Sequence, residues 1–368
     1  MGPRPEDLND ALVTSLETTG TLSDRRVAAA LRAVLRHHFL PDHPVKEVYE
    51  DTAIMTKFGE RGVAVSSSSQ PAIMAIMLQQ LRAELGQRVL EIGAGTGYNA
   101  ALLARLVGSE GRVVTLEFDE ALCQSARAHL AAAGTQGVEV RHADGAEGWS
   151  PGAPYDRLIV TASADDLSPA WLDQLVEGGR LVVPLSLAGP LQLSVSFLRR
   201  GSTFVSESLS FCGFMPLRGE MARPPRVPGQ GDQAPAWLAD PDSGRPWGFA
   251  VTGGDAGTGF EAWLAMTDPA YVRLSRNPED PAVFGLQDGV GGAALLEWVG
   301  SRLELRTYGE GHELAMRLVL AHRRWRRDRP LLQGFGITAM PSSWAPSGPV
   351  EGVRLVRRPR FTFLVTHH

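Results

Sequence analysis

Residues 89–98, VLEIGAGTGY, decide the fold of this chain. An apolar run ends in a glycine turn, and residues 100–107 then show helical periodicity, so the stretch predicts a strand, a turn and the start of a helix. Gly93, Gly95 and Gly97 leave the backbone free to turn tightly and to approach a ligand. We therefore expect a ligand-binding turn at the end of a strand.

The spacing of these glycines indicates which ligand the turn accepts. It is G-x-G-x-G with Glu91 just ahead of it, whereas dinucleotide-binding turns have G-x-G-x-x-G and hold a pyrophosphate on a helix N-terminus. A carboxylate at the strand end disfavours a phosphate-bearing ligand. A cationic ligand without phosphates, such as S-adenosylmethionine, suits it better, and the spacing argues against an NAD(P) oxidoreductase.

Strands and helices alternate after the turn. Strands are predicted at 112–117, 138–141, 155–162 and 180–185, with helices at 120–133 and 169–176 and a closing antiparallel pair at 191–198 and 206–214. This alternation predicts an α/β fold with a doubly wound parallel sheet. Ligands of such sheets bind at the carboxyl ends of the strands, where Glu117, Asp144 and Thr161 are placed together with the glycine turn.

Residues 1–71 are predicted to form an N-terminal helical segment and a serine-rich loop. The loop, residues 63–71, reads VAVSSSSQP, and Pro71 suits the first turn of a following helix with Ser69 as its N-cap. A helix N-terminus favours an anionic guest such as a carboxylate, although a merely flexible polar loop is the alternative. The adjacent His37 and His38 raise a metal reading, but neighbours on a helix point apart, so a structural role is preferred and no metal site is predicted.

The C-terminal part has a different composition. Residues 222–246 are rich in Pro, Gly and Asp and are predicted to be a linker, and residues 247–368 are predicted to form an α+β domain without a catalytic motif. The predicted helix 313–327 ends in a basic run around Trp325. That run is either a solvated helix end or a docking patch for acidic peptides, so recognition of a peptide substrate is one hypothesis for this domain.

Bulk properties narrow the function classes. The length of 368 residues suggests two domains, and the net charge of −5 argues against non-specific nucleic-acid binding. Cys123 and Cys212 are expected to be buried free thiols. No apolar run is long enough for a membrane span and the N-terminus lacks a secretory core, so a cytoplasmic location without membrane contact is expected. The oligomeric state is left open.

Residues from about 25 to 220 resemble the protein-L-isoaspartate O-methyltransferase family. The resemblance lies in Arg36-x-x-Phe39-x-Pro41, in Ser69-Gln70-Pro71, in VLEIGAGTGY, and in the later segments YDRLIVTA, GGRLVVP and FCGFMPL. It implies the Rossmann-like fold of class I methyltransferases, here with an N-terminal helical segment and an appended C-terminal α+β domain. It also implies that S-adenosylmethionine donates a methyl group to a carboxylate and leaves as S-adenosylhomocysteine.

Two departures from the family pattern favour a variant branch. Serines fill positions 66–69, where repair enzymes carry a glycine-rich G-x-x-T-I-S before Gln-Pro, and roughly 150 residues follow the methyltransferase part. Both features resemble a branch associated with ribosomal peptide natural products of the lanthipeptide type. The main expectation is therefore methylation of an Asp side chain in a modified, cyclic peptide, whose ester closes to a succinimide and opens to isoaspartate. Repair of isoaspartyl proteins is the alternative, and a peptide-binding module with a vestigial methyltransferase is a third hypothesis.

The resemblance also implies roles for individual residues. Glu117 is expected to bind the ribose hydroxyls, and Asp144 with Gly145 the adenine edge. The remaining cofactor contacts are assigned to Glu91, Gly93, Gly95, Gly97 and Thr161. Ser69 and Ser67 are expected to hold the acceptor carboxylate as catalytic residues, and Ser66, Ser68 and Gln70 to contact the peptide.

Overall fold

The computed structural model describes residues 2–59, 62–188, 191–222, 244–252, 258–274 and 282–367. The predicted linker at 222–246 therefore lies almost wholly outside the described residues, and the domain boundaries drawn at its two ends stay a prediction.

The N-terminal segment is helical, as predicted, and then changes to a β-hairpin. Its helices are α1 (Pro5–Thr18), α2 (Arg25–Ala33) and α3 (Val45–Val48). The carboxylate of Asp24 accepts hydrogen bonds from Arg26 N and Val27 N, which caps α2 and satisfies two of its free N–H groups. The hairpin pairs β1 (Ile54–Phe58) with β2 (Ala64–Ser68).

The serine-rich stretch is therefore a strand and not a loop through Ser68, which corrects the sequence expectation. Serine has little preference for strands, but β2 is held by its register with β1, in which Met55 faces Ser67 and Ile54 faces Ser68. The side chains of Ser66 and Ser68 are buried. The strand consequently fixes which serines point into the protein and which point away.

The central sheet has the predicted doubly wound topology. Its parallel strands are β3 (Arg88–Ile92), β4 (Arg112–Glu117), β5 (Val138–His142), β6 (Tyr155–Val160) and β7 (Leu175–Ala188), and they are crossed by α4 (Pro71–Leu81), α5 (Tyr98–Val107), α6 (Glu120–Ala132) and α7 (Pro169–Gln174). The spatial order is β7-β6-β3-β4-β5, so the winding reverses direction beside β3. A crevice opens at such a reversal, at the carboxyl ends of the strands.

The sheet continues through antiparallel strands. β8 (Leu191–Arg200) and β9 (Thr203–Cys212) form the predicted closing pair. β15 (Phe335–Pro341) then pairs with β9, and β17 (Phe361–His367) and β16 (Val353–Arg357) follow, so that the described residues form a ten-stranded mixed sheet. The participation of strands from residues 247–368 in the central sheet was not predicted from the sequence.

The rest of the C-terminal region forms a second, antiparallel sheet. Its order is β10 (Arg245–Thr252), β14 (Arg302–Tyr308), β13 (Ala293–Val299), β12 (Val283–Gln287) and β11 (Tyr271–Leu274), and it is accompanied by α8 (Thr258–Thr267) and α9 (His312–Asp328). Trp325 of α9 is buried and its ring lies 5.6 Å from that of Phe260. A docking patch with an exposed central Trp is therefore excluded, because this side chain belongs to the core.

Cys123 is buried and Cys212 is half-buried, and both are free thiols. Among the described residues, no helix combines the length and the apolar character that crossing a bilayer requires.

Candidate functional site

A cavity of about 480 Å³ opens at the reversal point of the central sheet. Its floor is formed by the ends of β3, β4 and β6, one wall by the hairpin β1–β2, and the opposite wall by residues 211–218. The predicted site residues that line it are Ser66, Ser67, Ser68, Ser69, Gln70, Gly93, Gly95, Glu117, Gly145 and Thr161. Glu91, Gly97 and Asp144 lie outside this lining.

The glycine turn requires its glycines for conformation and for space. Gly93, Gly95 and Gly97 have φ of +101°, +51° and +88°, which is the left-handed region. A Cβ on Gly93 would lie 2.4 Å from the Thr161 hydroxyl, which itself donates a 2.7 Å hydrogen bond to the Gly93 carbonyl oxygen. Thr161, directly after β6, thus holds the glycine turn in place. Gly97 leads into α5 and lies against Ala126 of α6.

Glu91 is fully buried beneath the turn. Its Oε1 accepts a 2.7 Å hydrogen bond from Asn99 Nδ2, and Oε2 has no hydrogen-bond partner among the described residues. Burial penalises the charged form, and it raises the pKa of this carboxyl from its ordinary value to about 7. Glu91 therefore reaches the cavity only through Asn99, which does line it.

Glu117 ties the end of β4 to the glycine turn. Its Oε2 accepts a 3.0 Å hydrogen bond from Gly95 N, and its Oε1 accepts one of 3.1 Å from Asp119 N. Arg218, which the sequence analysis did not single out, donates a third of 3.0 Å to Oε1. The carboxylate is almost wholly buried, and it presents its oxygens at the cavity wall.

An ion-pair network closes the same edge of the cavity. Lys57 of β1 lies 2.6 Å from Asp119, and Arg218 lies 3.6 Å from Asp119 and 5.7 Å over the ring of Phe118. The hydrogen bond from Lys57 is the main cause that lowers the pKa of Asp119 below its usual value. The hairpin, the sheet and the segment after β9 are thus joined electrostatically beside Glu117.

Arg36 anchors the serine strand through hydrogen bonds. Its guanidinium is fully buried and donates to Ser69 O at 3.0 Å, to the Ser68 hydroxyl at 3.2 Å and to Val48 O at 2.8 Å. Burial lowers the pKa of Arg36, although nothing removes its charge near neutral pH. The arginine in the motif Arg36-x-x-Phe39-x-Pro41 is therefore the anchor of the serine strand.

The four serines differ in what their hydroxyls contact. The Ser66 hydroxyl accepts a 3.0 Å hydrogen bond from Thr56, and that of Ser68 is held by Arg36. The hydroxyls of Ser67 and Ser69 make no hydrogen bond to any residue that the structure describes, and both residues line the cavity. Ser67 and Ser69 are accordingly the hydroxyls that remain available to a ligand.

The N-terminus of α4 is capped by Asp51 and not by Ser69, which corrects a second expectation. The N-cap residue is Gln70, and Asp51 Oδ1 accepts a 2.8 Å hydrogen bond from Ala72 N. Gln70 Nε2 in turn donates to Asp51 Oδ2 at 3.0 Å. A carboxylate of the protein already occupies this helix end, so an incoming anion has to be held by the serine hydroxyls.

Asp144 lies outside the lining of the cavity. Its Oδ1 accepts a 2.9 Å hydrogen bond from Ala146 N, and its Oδ2 accepts one of 2.7 Å from Glu220 N. A Cβ on the neighbouring Gly145 would meet Ile92 at 2.3 Å, so only glycine leaves the cavity floor undisturbed. Asp144 shapes this end of the cavity by fixing the chain around Gly145 and Glu220.

His37 and His38 make structural contacts. His37 Nδ1 is hydrogen-bonded to the Tyr49 hydroxyl at 2.7 Å, and the two imidazole rings lie 4.2 Å apart. In the part of the chain that the structure describes, three metal-ligating side chains do not come together anywhere.

Comparison with known proteins assigns the chain to a family by sequence. Residues 7–222 match the model of the family described as protein-L-isoaspartate(D-aspartate) O-methyltransferase (PCMT). The protein-L-isoaspartate O-methyltransferase 1 of Rhodopseudomonas palustris is 41% identical over 198 residues, which are 54% of this chain and 77% of that protein. The protein-L-isoaspartate O-methyltransferase of Halorhodospira halophila is 38% identical over 218 residues, which are 59% of this chain and 94% of that protein.

Solved structures extend the likeness to the fold. A structure named protein-L-isoaspartate O-methyltransferase aligns with a TM-score of 0.55 at 25% identity and covers 90% of this chain and 96% of its own. A structure from Plasmodium falciparum, named for the same activity and in complex with S-adenosyl-L-homocysteine, aligns with a TM-score of 0.50 at 20% identity and covers 57% of this chain and 98% of its own. Membership of a natural-product branch is not addressed by these likenesses and stays a prediction.

Proposed function

Because this chain belongs to the protein-L-isoaspartate O-methyltransferase family, we propose that it transfers a methyl group from S-adenosylmethionine to the carboxylate of an isoaspartyl residue in a protein or peptide. One observation carries the proposal for this chain's own residues. The glycine turn, the Glu117 carboxylate and the two free hydroxyls of Ser67 and Ser69 face one cavity.

The residues around the turn suit S-adenosylmethionine. Gly93 and Gly95 present bare backbone, and Glu117 offers a buried carboxylate as an acceptor for the ribose hydroxyls. Gly145 and Thr161 line the neighbouring floor, where the adenine and the methionine part are placed in this proposal. Asp144, Gly97 and Glu91 act indirectly, by fixing Gly145, α5 and Asn99 respectively.

The bound cofactor supplies a methyl group on a positively charged sulfur. The protein positions the cofactor and the acceptor carboxylate and excludes water. An isoaspartyl carboxyl has the pKa of an ordinary carboxyl and is ionised at neutral pH, so no general base is needed. Ser69 and Ser67 donate hydrogen bonds to this carboxylate and aim one oxygen along the line of transfer, while Ser66, Ser68 and Gln70 keep the strand in place.

The product ester is reactive without further help from the enzyme. The amide nitrogen of the following residue attacks the ester carbonyl, methanol leaves and a succinimide remains, which water opens to aspartate or isoaspartate. For an isoaspartyl substrate this series of reactions amounts to repair, and the names of the matched relatives favour that function. Methylation of an ordinary Asp in a cyclised ribosomal peptide is the narrower expectation from the serine run, and it would use the same site.

A competition between acceptors tests the proposal. The full chain is incubated with S-adenosylmethionine and one of three peptides: an isoaspartyl hexapeptide, its aspartyl isomer, or a cyclised Asp peptide. Mass spectrometry reads a gain of about 14 daltons, the mass of the added CH₂ group, on the peptide. We expect methylation of the isoaspartyl peptide and little of its isomer. Methylation of the cyclised Asp peptide alone would replace repair by the biosynthetic reaction, and no methylation of any peptide would refute both.

A further inference from the structure

A second cavity, of about 700 Å³, lies far along the chain from the serine strand. It is lined by residues of α8, of α9 and of the strands β15, β16 and β17. One part of its wall is apolar and includes Trp263, Met266 and Phe335. Another part carries the guanidinium groups of Arg324 and Arg354, so the cavity combines an apolar surface with positive charge.

Arg354 stands out among the charged groups of the described chain. Its Nη1 is buried and has no hydrogen-bond partner among the described residues. Burial lowers the pKa of this guanidinium to about 10, which still leaves it charged at neutral pH. A buried donor without a hydrogen-bond partner is unfavourable, and buried polar groups in proteins are nearly always paired.

The Asp268 carboxylate acts on Arg354 only through its charge and is already hydrogen-bonded to another arginine. Asp268 also lines the cavity, but Arg317 of α9 binds it with a 2.9 Å hydrogen bond from Nε and a second, shorter contact from Nη2. Such two-point binding of a carboxylate by arginine occupies both oxygens. Arg324 is mostly exposed, and its only ion pair among the described residues is a loose one of 3.8 Å with Asp328. The described lining therefore holds more positive than negative charge.

We propose that this second cavity binds a carboxylate carried on an apolar stem, with Arg354 as its partner and Arg324 at the entrance. A single carboxylate supplies the acceptor oxygens that the Arg354 guanidinium lacks, in the planar geometry that arginine prefers. The apolar stem lies against Trp263 and Phe335. A free organic acid and an acidic residue of a peptide present the same chemistry, and the site is independent of the methyl-transfer reaction.

Calorimetry on the full chain tests the site with two matched pairs of probes. One pair is 4-phenylbutyrate and 4-phenylbutyramide, and the other is the capped tripeptide Leu-Glu-Phe and its Leu-Gln-Phe analogue. We expect at least one acid to bind about ten- to a hundred-fold more tightly than its amide, as for hydrogen bonds to charged groups. The pair that shows this difference identifies the source of the carboxylate.

Variants separate a binding role from a structural one. Arg354→Met should remove the preference for the acid and leave amide binding unchanged, whereas Arg323→Met, an exposed neighbour of Arg324 outside the cavity lining, should leave both unchanged. Arg317→Met should also weaken acid binding, because Asp268 becomes free to pair with Arg354. Thermal unfolding of each variant confirms that it is folded. Equal binding of acids and amides to the wild-type chain, or full acid affinity in Arg354→Met, would overturn the proposal.

Discussion

Arg218 donates a 3.0 Å hydrogen bond to Oε1 of Glu117, the carboxylate that we assign to the cofactor ribose. The same oxygen accepts from Asp119 N, while Oε2 accepts from Gly95 N. A carboxylate oxygen accepts about two hydrogen bonds, so Oε1 is filled when Arg218 is in place. A ribose that binds both oxygens therefore displaces the Arg218 side chain, whereas the hydrogen bonds from Asp119 N and Gly95 N remain.

Arg218→Met should accordingly strengthen cofactor binding. The lost ion pair is partly exposed and worth about 0.2–1 kcal/mol, so we expect S-adenosylhomocysteine to bind up to about five-fold more tightly. Isothermal calorimetry measures this, with Arg200→Met, an exposed arginine at the end of β8, as the control. A loss of affinity in Arg218→Met would mean that the arginine holds the cofactor and does not compete with it.

Glu117→Ala should abolish cofactor binding. It removes the acceptor for the ribose and also the acceptor that holds Gly95 N, and each hydrogen bond to a charged group contributes about 1.5–3 kcal/mol. We expect a loss of more than about a hundred-fold by calorimetry, and a smaller loss in Glu117→Gln, which keeps one acceptor oxygen. Wild-type affinity in Glu117→Ala would withdraw our cofactor assignment.

Ser69→Ala should slow methyl transfer without weakening cofactor binding. Its hydroxyl is free to hold the acceptor carboxylate, so kcat/KM for an isoaspartyl peptide should fall by about ten- to a hundred-fold, with the same direction for Ser67→Ala. Ser68→Ala is the matched control, because that hydroxyl bonds to Arg36 and its loss should lower stability first. An unchanged rate in both Ser69→Ala and Ser67→Ala would remove the serines from catalysis.

Glu91 should make the protein less stable as the pH rises. Burial raises its pKa from 4.5 to about 7, so the folded state holds this proton more tightly than the unfolded state. The free energy of unfolding therefore falls as the pH rises from about 4.5 to 7, by up to about 3 kcal/mol, and changes no further above that range. Urea unfolding at pH 5 and pH 8 should show this fall in the wild type and a smaller one in Glu91→Gln. Parallel pH dependences of the two proteins would contradict it.

Local patterns in the sequence were sufficient for the sheet and its glycine turn. Apolar strands, helical periodicity and the spacing of Gly93, Gly95 and Gly97 are all encoded within a few residues of one another, and the structure confirms the turn and the order of the strands. The same locality predicted α9 to within a residue at each end.

Features made by distant partners were not predictable in this way. The strand β2 (Ala64–Ser68) has no apolar alternation and is specified by its pairing with β1 and by Arg36. The contact of Arg218 with Glu117 joins residues that nothing in the sequence pattern connects. The cap of α4 was not predictable for the same reason. It is supplied by Asp51, which lies in an earlier segment, and not by the neighbouring Ser69.

The pairing of Thr338 and Ala339 in β15 with Val205 and Phe204 in β9 has a consequence for shortened forms of the protein. A chain ending near residue 222, where the family match stops, would leave the backbone of β9 around Phe204 and Val205 without its partner strand. Exposed strand edges of that kind recruit strands from other molecules and promote aggregation. β15 therefore protects this stretch of the β9 edge, and truncation before β15 should favour self-association there.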